Sequence, residues 1–190
     1  MDRREAIKRT AILMGGFAFA PSALGLLNGC TPQPGVDWNP KFFNKSQARL
    51  ITKLSDIIIP ADDTPGASDA GVPAFIESMV SEIYDENARE KFMKSLKAFD
   101  EMAKEQHGKK YVDLDSKLQF EFADHQNKLA LRSETNGQPG VVFFFMMKEL
   151  TLLGFFTSET GATETLRYLP VPGRYDGCVP FEEIGKTWAT

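Results

Sequence analysis

The chain carries little of the chemistry that catalytic and cofactor-binding proteins rely on. Its 190 residues include two cysteines and two histidines, too few for a disulfide framework or for a Cys-rich zinc or iron–sulfur centre. There is no Cys-x-x-Cys-His run for covalent haem, no Gly-x-Gly-x-x-Gly after a strand for a dinucleotide and no Gly-x-Ser-x-Gly nucleophile turn. Positive charge is scarce as well. The 22 Lys and Arg stand against 26 Asp and Glu and form no basic stripe, so nucleic acid is not an expected partner. Repeats, low-complexity tracts and convincing strand alternation are also missing. What the chain has in quantity is phenylalanine, 15 residues of it, and apolar positions at helical spacing.

Residues 1–9 are positively charged and residues 10–29 carry no charge, which is the layout of a signal peptide. Pro21 and several glycines interrupt the apolar run, making a permanent spanning helix the weaker alternative. Arg3-Arg4 followed by Ile7-Lys8 resembles the twin-arginine export pattern, with departures at Asp2 and Ala6; an ordinary secretory signal with two arginines is the alternative. Leu26-Leu27-Asn28-Gly29-Cys30 resembles a lipobox, in which Cys30 becomes the lipid-anchored first residue of the mature chain. Acyl chains contribute about 0.8 kcal/mol per buried CH₂, so an anchor of two or three chains is effectively permanent. The expected product is exported to the periplasm and held at the membrane through Cys30. Residues 1–29 hold four of the 22 basic and two of the 26 acidic residues, leaving 18 against 24 and a mature charge of −6. If Cys30 is acylated, Cys178 has no partner in the chain and reads as a small buried residue; otherwise a Cys30–Cys178 bridge is open.

Residues 1–29 are thus read as signal, 30–43 as a tether rich in proline, and 44–190 as one domain long enough for a real core. Leu50, Ile51, Leu54, Ile57 and Ile58 recur at helical spacing behind the cap candidates Asn44 and Ser46, and Pro60 ends that helix. Residues 61–72 form a loop by composition, and Pro73 opens a second stripe of Phe75, Ile76, Met79, Val80 and Ile83. Phe92, Leu96, Phe99 and Ala103 make a third, ending at Gly108, and Leu118, Phe122, His125 and Leu129 a fourth, beginning near Asp113 and Asp115. Residues 141–153 are apolar on almost every side, which places that helix at the centre of the domain or against another protein. Beyond Gly154 the helical period is lost, and residues 169–180 hold three prolines and two glycines. The expected fold is all-α, a single domain of about five to six helices with a long irregular C-terminal arm.

Two constellations could bear on metals, and each has a plainer explanation. Glu121 and His125 lie four apart with Asp124 beside them, but two ligands are too few, and a half-buried histidine with a carboxylate neighbour is the simpler account. Asp62, Asp63 and Asp69 share a loop without the calcium-loop spacing, and Asp-rich turns are common as caps. Phe143-Phe144-Phe145-Met146-Met147 and Phe155-Phe156 are the most unusual features, since one helix face cannot place all of them in its own core.

Asp56-Ile57-Ile58-Ile59-Pro60, Thr64-Pro65-Gly66-Ala67, Ala70-Gly71-Val72, Leu150-Thr151, Gly154-Phe155-Phe156-Thr157-Ser158 and the stretch from Tyr168-Leu169-Pro170 to Gly177-Cys178-Val179-Pro180 occur in order. In these landmarks the chain resembles the small subunit of gluconate 2-dehydrogenase, the subunit 3 family, over residues 50–188. The resemblance implies a non-catalytic partner of a flavin-dependent sugar or sugar-acid dehydrogenase of the glucose-methanol-choline (GMC) type. It places FAD in the large subunit and haem c in a cytochrome c electron acceptor, with no cofactor on this chain. It also gives the small subunit the export signal and a part in maturing the large one. Twin-arginine export moves folded proteins, so a flavoprotein without its own signal could travel attached to this chain. Phe155, Phe156, Tyr168, Pro170, Pro172, Arg174, Tyr175 and Cys178 are the expected partner interface, with a strap folded over the chain's own helices as the alternative. The competing function is an independent carbohydrate-binding or structural surface lipoprotein.

Overall fold

Asn44 starts the first helix by a reciprocal cap: its side chain accepts from the Gln47 amide at 3.0 Å while the Gln47 side chain accepts from the Asn44 amide at 3.0 Å. Two of the donors that a helix start leaves unpaired are thereby satisfied. This helix, α1 (Lys45–Ile58), buries Ala48, Leu50, Ile51, Leu54 and Ser55. In the computed structural model residues 38–131, 137–171, 173 and 177–189 are described, all within the unit Val36–Thr190. Arg3, Arg4, Cys30 and most of the expected tether lie outside them. The described end of the tether is packed rather than free. Phe43 is buried in the core, Trp38 lies against it, and the Trp38 indole donates to Thr52 Oγ1 at 3.3 Å.

Pro73 sits in the first turn of α2 (Val72–Ser78), where its missing N–H costs nothing. The helix then widens into a π turn, Met79–Ile83. That extra residue per turn shifts the register, so Val80 stays buried while Ile83, expected in the stripe, is 67 % exposed. Arg89 covers the carbonyls freed there, donating to Val80, Ser81 and Tyr84 oxygens at 3.0–3.2 Å. Helix α3 (Glu86–His107) is capped by Asp85 and ends at Gly108, whose φ of +73° is the left-handed conformation that terminates helices. Its stripe of Phe92, Leu96, Phe99 and Ala103 is buried, as the spacing predicts.

Helix α4 (Ser116–Ala130), capped by Asp115, is rotated from its expected orientation. Gln119, Phe122, Ala123 and Gln126 face inward, while His125 and Phe120 are exposed. Gln119 is accommodated because its amide donates to the Tyr111 carbonyl at 3.0 Å; the Tyr111 hydroxyl lies 3.4 Å from the Gln119 carbonyl. Burial pushes the Tyr111 phenol well above its usual pKa. A polar residue with a partner can replace an apolar one on the inner face, which defeats a count of apolar positions.

Helix α5 (Pro139–Phe156) is the hub, packing against α1, α2, α3 and α4. It is the one described helix long and apolar enough to cross a membrane, and half of it is buried in the bundle, which accounts for that apolarity. Two glycines permit its close approaches. A Cβ at Gly154 would meet the Phe75 ring at 2.6 Å, and one at Gly140 the Met102 methyl at 2.6 Å. The domain is all-α, as expected, with irregular chain after the π turn at Gly161–Thr165 and a short final helix, α6 (Phe181–Ile184).

Candidate functional site

No group of three or more His, Cys, Asp or Glu that could hold a metal occurs among the described residues. The Asp loop is instead a set of turn formers. Asp62 accepts from the Thr64 amide at 2.9 Å and hydroxyl at 3.0 Å, and these bonds pull its carboxyl below the usual range. Asp69 accepts from the Gly66 amide at 3.0 Å, and Asp56 from the Ser68 amide at 2.9 Å. Partial burial raises Asp56 overall, with the nearby Asp69 charge adding to it and the Ser68 bonds opposing it. His125, expected to be half-buried, is exposed on the outer face of α4.

The buried carboxylate that matters was not anticipated. Glu77 on α2 is 8 % exposed and accepts from three consecutive amides: Lys41 at 3.0 Å, Phe42 at 2.8 Å and Phe43 at 3.0 Å. It fastens the start of the domain to α2 and seats Phe43 against Phe92, with ring centroids 6.0 Å apart. The signal was present in sequence, since residue 77 falls on the same helical face as Pro73 and Val80.

The surface that remains unaccounted for is apolar. On α5, Phe145, Leu152, Leu153 and Phe156 are between 38 and 50 % exposed, and the 145, 152, 156 spacing sets three of them on one face. Phe144, Phe145 and Leu152 border a half-enclosed cavity of about 160 Å³ shared with Ala130 and Leu131 of the α4 end. Beside it the Lys148 ammonium donates to Asn127 Oδ1 at 3.0 Å.

The second apolar surface is the arm. Among the described residues no side chain after Phe155 belongs to the hydrophobic core. Tyr168, Leu169, Val171 and Phe181 are 55, 42, 78 and 60 % exposed. The arm's order comes from pairing with itself: the Arg167 amide donates to the Thr187 carbonyl at 2.8 Å and the Ala189 amide to the Arg167 carbonyl at 3.0 Å. Arg167 thus forms an isolated parallel bridge with Trp188. Its guanidinium lies 4.6 Å from the centre of the Trp188 ring and donates to the Ile184 carbonyl at 3.0 Å. Lys186 donates to the Glu164 carbonyl. Together these contacts frame a concavity of about 360 Å³.

Of the expected interface residues, Phe156, Tyr168 and Pro170 are exposed. Phe155 is not: at 1 % exposure it packs inside the bundle, because its position on α5 follows the Met147, Thr151 row of the inner face. Cys178, expected to be buried, is exposed and free, and no described residue of the arm belongs to the core. Pro172, Arg174 and Tyr175 lie outside the described residues. The Arg167–Trp188 pairing had no signal in helical periodicity or motif spacing, being a long-range contact within irregular chain.

Comparisons with curated proteins and with solved structures each found no match. The family model for gluconate 2-dehydrogenase subunit 3 matches residues 45–173, from the first residue of α1 into the arm. The chain therefore belongs to the gluconate 2-dehydrogenase subunit 3 family and is a non-catalytic subunit of a dehydrogenase complex.

Proposed function

We propose that this subunit carries, matures and tethers a periplasmic FAD-dependent dehydrogenase of the GMC type that oxidises a sugar or sugar acid. The observation that carries the reading is the exposed apolar side chains of the arm, Tyr168, Leu169, Val171 and Phe181, in a chain whose family works inside a complex. Apolar side chains cost free energy in water, about 25 cal/mol per Å², and a partner that covers them recovers it. In this reading FAD belongs to the large subunit, and a cytochrome c with haem c takes the electrons. This chain supplies docking surface rather than a cofactor site. Arg3-Arg4 directs the folded pair through the twin-arginine route, and lipid on Cys30 keeps it at the membrane.

The decisive experiment is purification of the tagged chain from membranes of its own cell. A flavoprotein should come with it, and a product lacking flavin absorbance would end the proposal. Replacing Arg3 and Arg4 by lysine should leave that flavoprotein in the cytoplasm; its normal export would remove the carrier role. Mass spectrometry of the mature chain should find a diacylglycerol-modified N-terminal Cys30, and an unmodified cysteine would remove the tether.

A further inference from the structure

We propose that Arg167 and Trp188 form a clasp that sets the arm in its docking shape before the catalytic subunit arrives. The inference rests on the reading of the arm as the docking surface and deepens it. A segment whose side chains do not enter the core has no burial to hold its shape, so it would have to be ordered on binding, at the expense of affinity. Here the two limbs of the arm are already joined. Arg167 bonds through its backbone on both sides, to Thr187 and Ala189, and through its side chain to the Trp188 face and the Ile184 carbonyl. Tyr168 and Leu169 lead out of one limb and Phe181 stands at the start of the short helix in the other, all exposed.

One guanidinium thus does two jobs that a lysine would not combine: it lies against an indole and also donates to a carbonyl of the turn that positions Phe181. The closing limb, from Ile184 to Ala189, lies beyond residues 45–173 that the family model matches, so the clasp is argued from the contacts of this chain alone. Its occupant is the catalytic subunit, because family membership gives the chain that partner and Tyr168, Leu169 and Phe181 beside the clasp are exposed rather than buried on the chain's own helices.

The test uses the full chain with its co-expressed catalytic partner and the variants Arg167→Ala, Trp188→Ala and Arg167→Lys. Arg167→Ala loses both the cation–π contact and the guanidinium bond and should weaken association by about tenfold; Trp188→Ala, which loses the first alone, and Arg167→Lys should each weaken it by a few-fold. In the free chain, chymotrypsin should cut the arm several-fold faster in both alanine variants while the urea midpoint of the helical domain stays unchanged. Unchanged association would overturn the clasp; so would weaker association without faster cleavage, which would mark Arg167 as a direct contact only. Tyr168→Ser with Phe181→Ser separates the levels. If that double variant loses the partner and the clasp variants keep it, the docking reading stands and the clasp falls. If the double variant keeps the partner, both fall.

Discussion

The helical core and the C-terminal arm treat the same kind of side chain in opposite ways. In the core, Phe99 lies within 5.0–5.1 Å, centroid to centroid, of Tyr111, Phe122 and Phe143, and none of the four is more than 2 % exposed. In the arm, Tyr168 and Phe181 are more than half exposed and are not members of the core. The core is held by burial, the arm by a short backbone pairing and one cation over a ring. The difference separates stability from association: substitutions in the core should change the first, and those in the arm the second.

The largest effect is expected at the centre of the aromatic cluster. Phe99→Ala should cost about 3–5 kcal/mol, the transfer term plus the cavity it leaves, read as a fall in the urea midpoint. A loss below about 1 kcal/mol would mean that the cluster is loosely packed and that the contrast with the arm is overstated. Next comes Glu77→Ala, which strands the amides of Lys41, Phe42 and Phe43. Charge-assisted bonds are worth about 1.5–3 kcal/mol each at best and are not additive, so about 2–4 kcal/mol is expected. Glu77→Gln keeps a carbonyl acceptor and should lose less. Equal losses for the two variants would show that the charge, not the geometry, holds the segment.

These expectations depend on features that differ greatly in how far sequence displayed them. Helix α1 is legible in its apolar period and in its end at Pro60; of the two cap candidates, Asn44 caps the helix and Ser46 lies within its first turn, while the reciprocal bond at Gln47 is not among the expected features. Helix α5 was legible as central because few other environments tolerate apolar residues all round. Helix α4 is legible in Leu118 and Phe122 but not in His125, which helical spacing alone put on the inner face; that face is completed instead by Gln119, whose partner Tyr111 sits on a separate turn. Ile83 was misjudged because a π turn breaks the 3.6 period and leaves no residue signature. The candidate docking surface was half visible: proline and aromatic content marked the arm, but the Arg167–Trp188 pairing spans irregular chain and follows from no local rule. Family membership, by contrast, was readable from ordered landmarks, which run from the end of α1 through the loop before α2 and the end of α5 into the arm.

Buried polar groups offer a finer test of the core. Gln126 is fully buried, and both ends of its side-chain amide lack a hydrogen-bond partner. An unsatisfied buried polar group costs about 1–3 kcal/mol, so Gln126→Met, of similar volume, should stabilise by about 1 kcal/mol in urea titration. A loss instead would show that an internal water satisfies the amide. Asp56 should give a smaller, pH-dependent gain. Its folded-state pKa lies above the ordinary 3.8, so the folded chain holds that proton more tightly than the unfolded one. Stability from this group is full below about 3.8 and declines as pH rises through the raised folded value. Asp56→Asn keeps an acceptor for the Ser68 amide without the charge. It should match or exceed the parent at pH 7, with the gap closing on acidification; a gap that widens in acid would reverse the sign of the shift.

The smallest stability effect, and the sharpest probe of the contrast, belongs to Phe181→Ser. At 60 % exposure and outside the core, the side chain contributes little to folding, and the change in urea midpoint should stay within about 0.5 kcal/mol. In the core the same loss of a ring is expected to cost several times more. Association should behave in reverse. An aromatic that serves as a hot spot under a partner carries about 2 kcal/mol of binding, roughly thirtyfold in affinity, so the variant should release the catalytic subunit during gel filtration at concentrations where the parent retains it. If Phe181→Ser lowers the midpoint by more than about 1 kcal/mol, the arm packs on the domain after all. If it leaves both stability and association untouched, the exposed stripe on α5, with Phe145, Leu152 and Phe156, takes its place as the docking face to be tested.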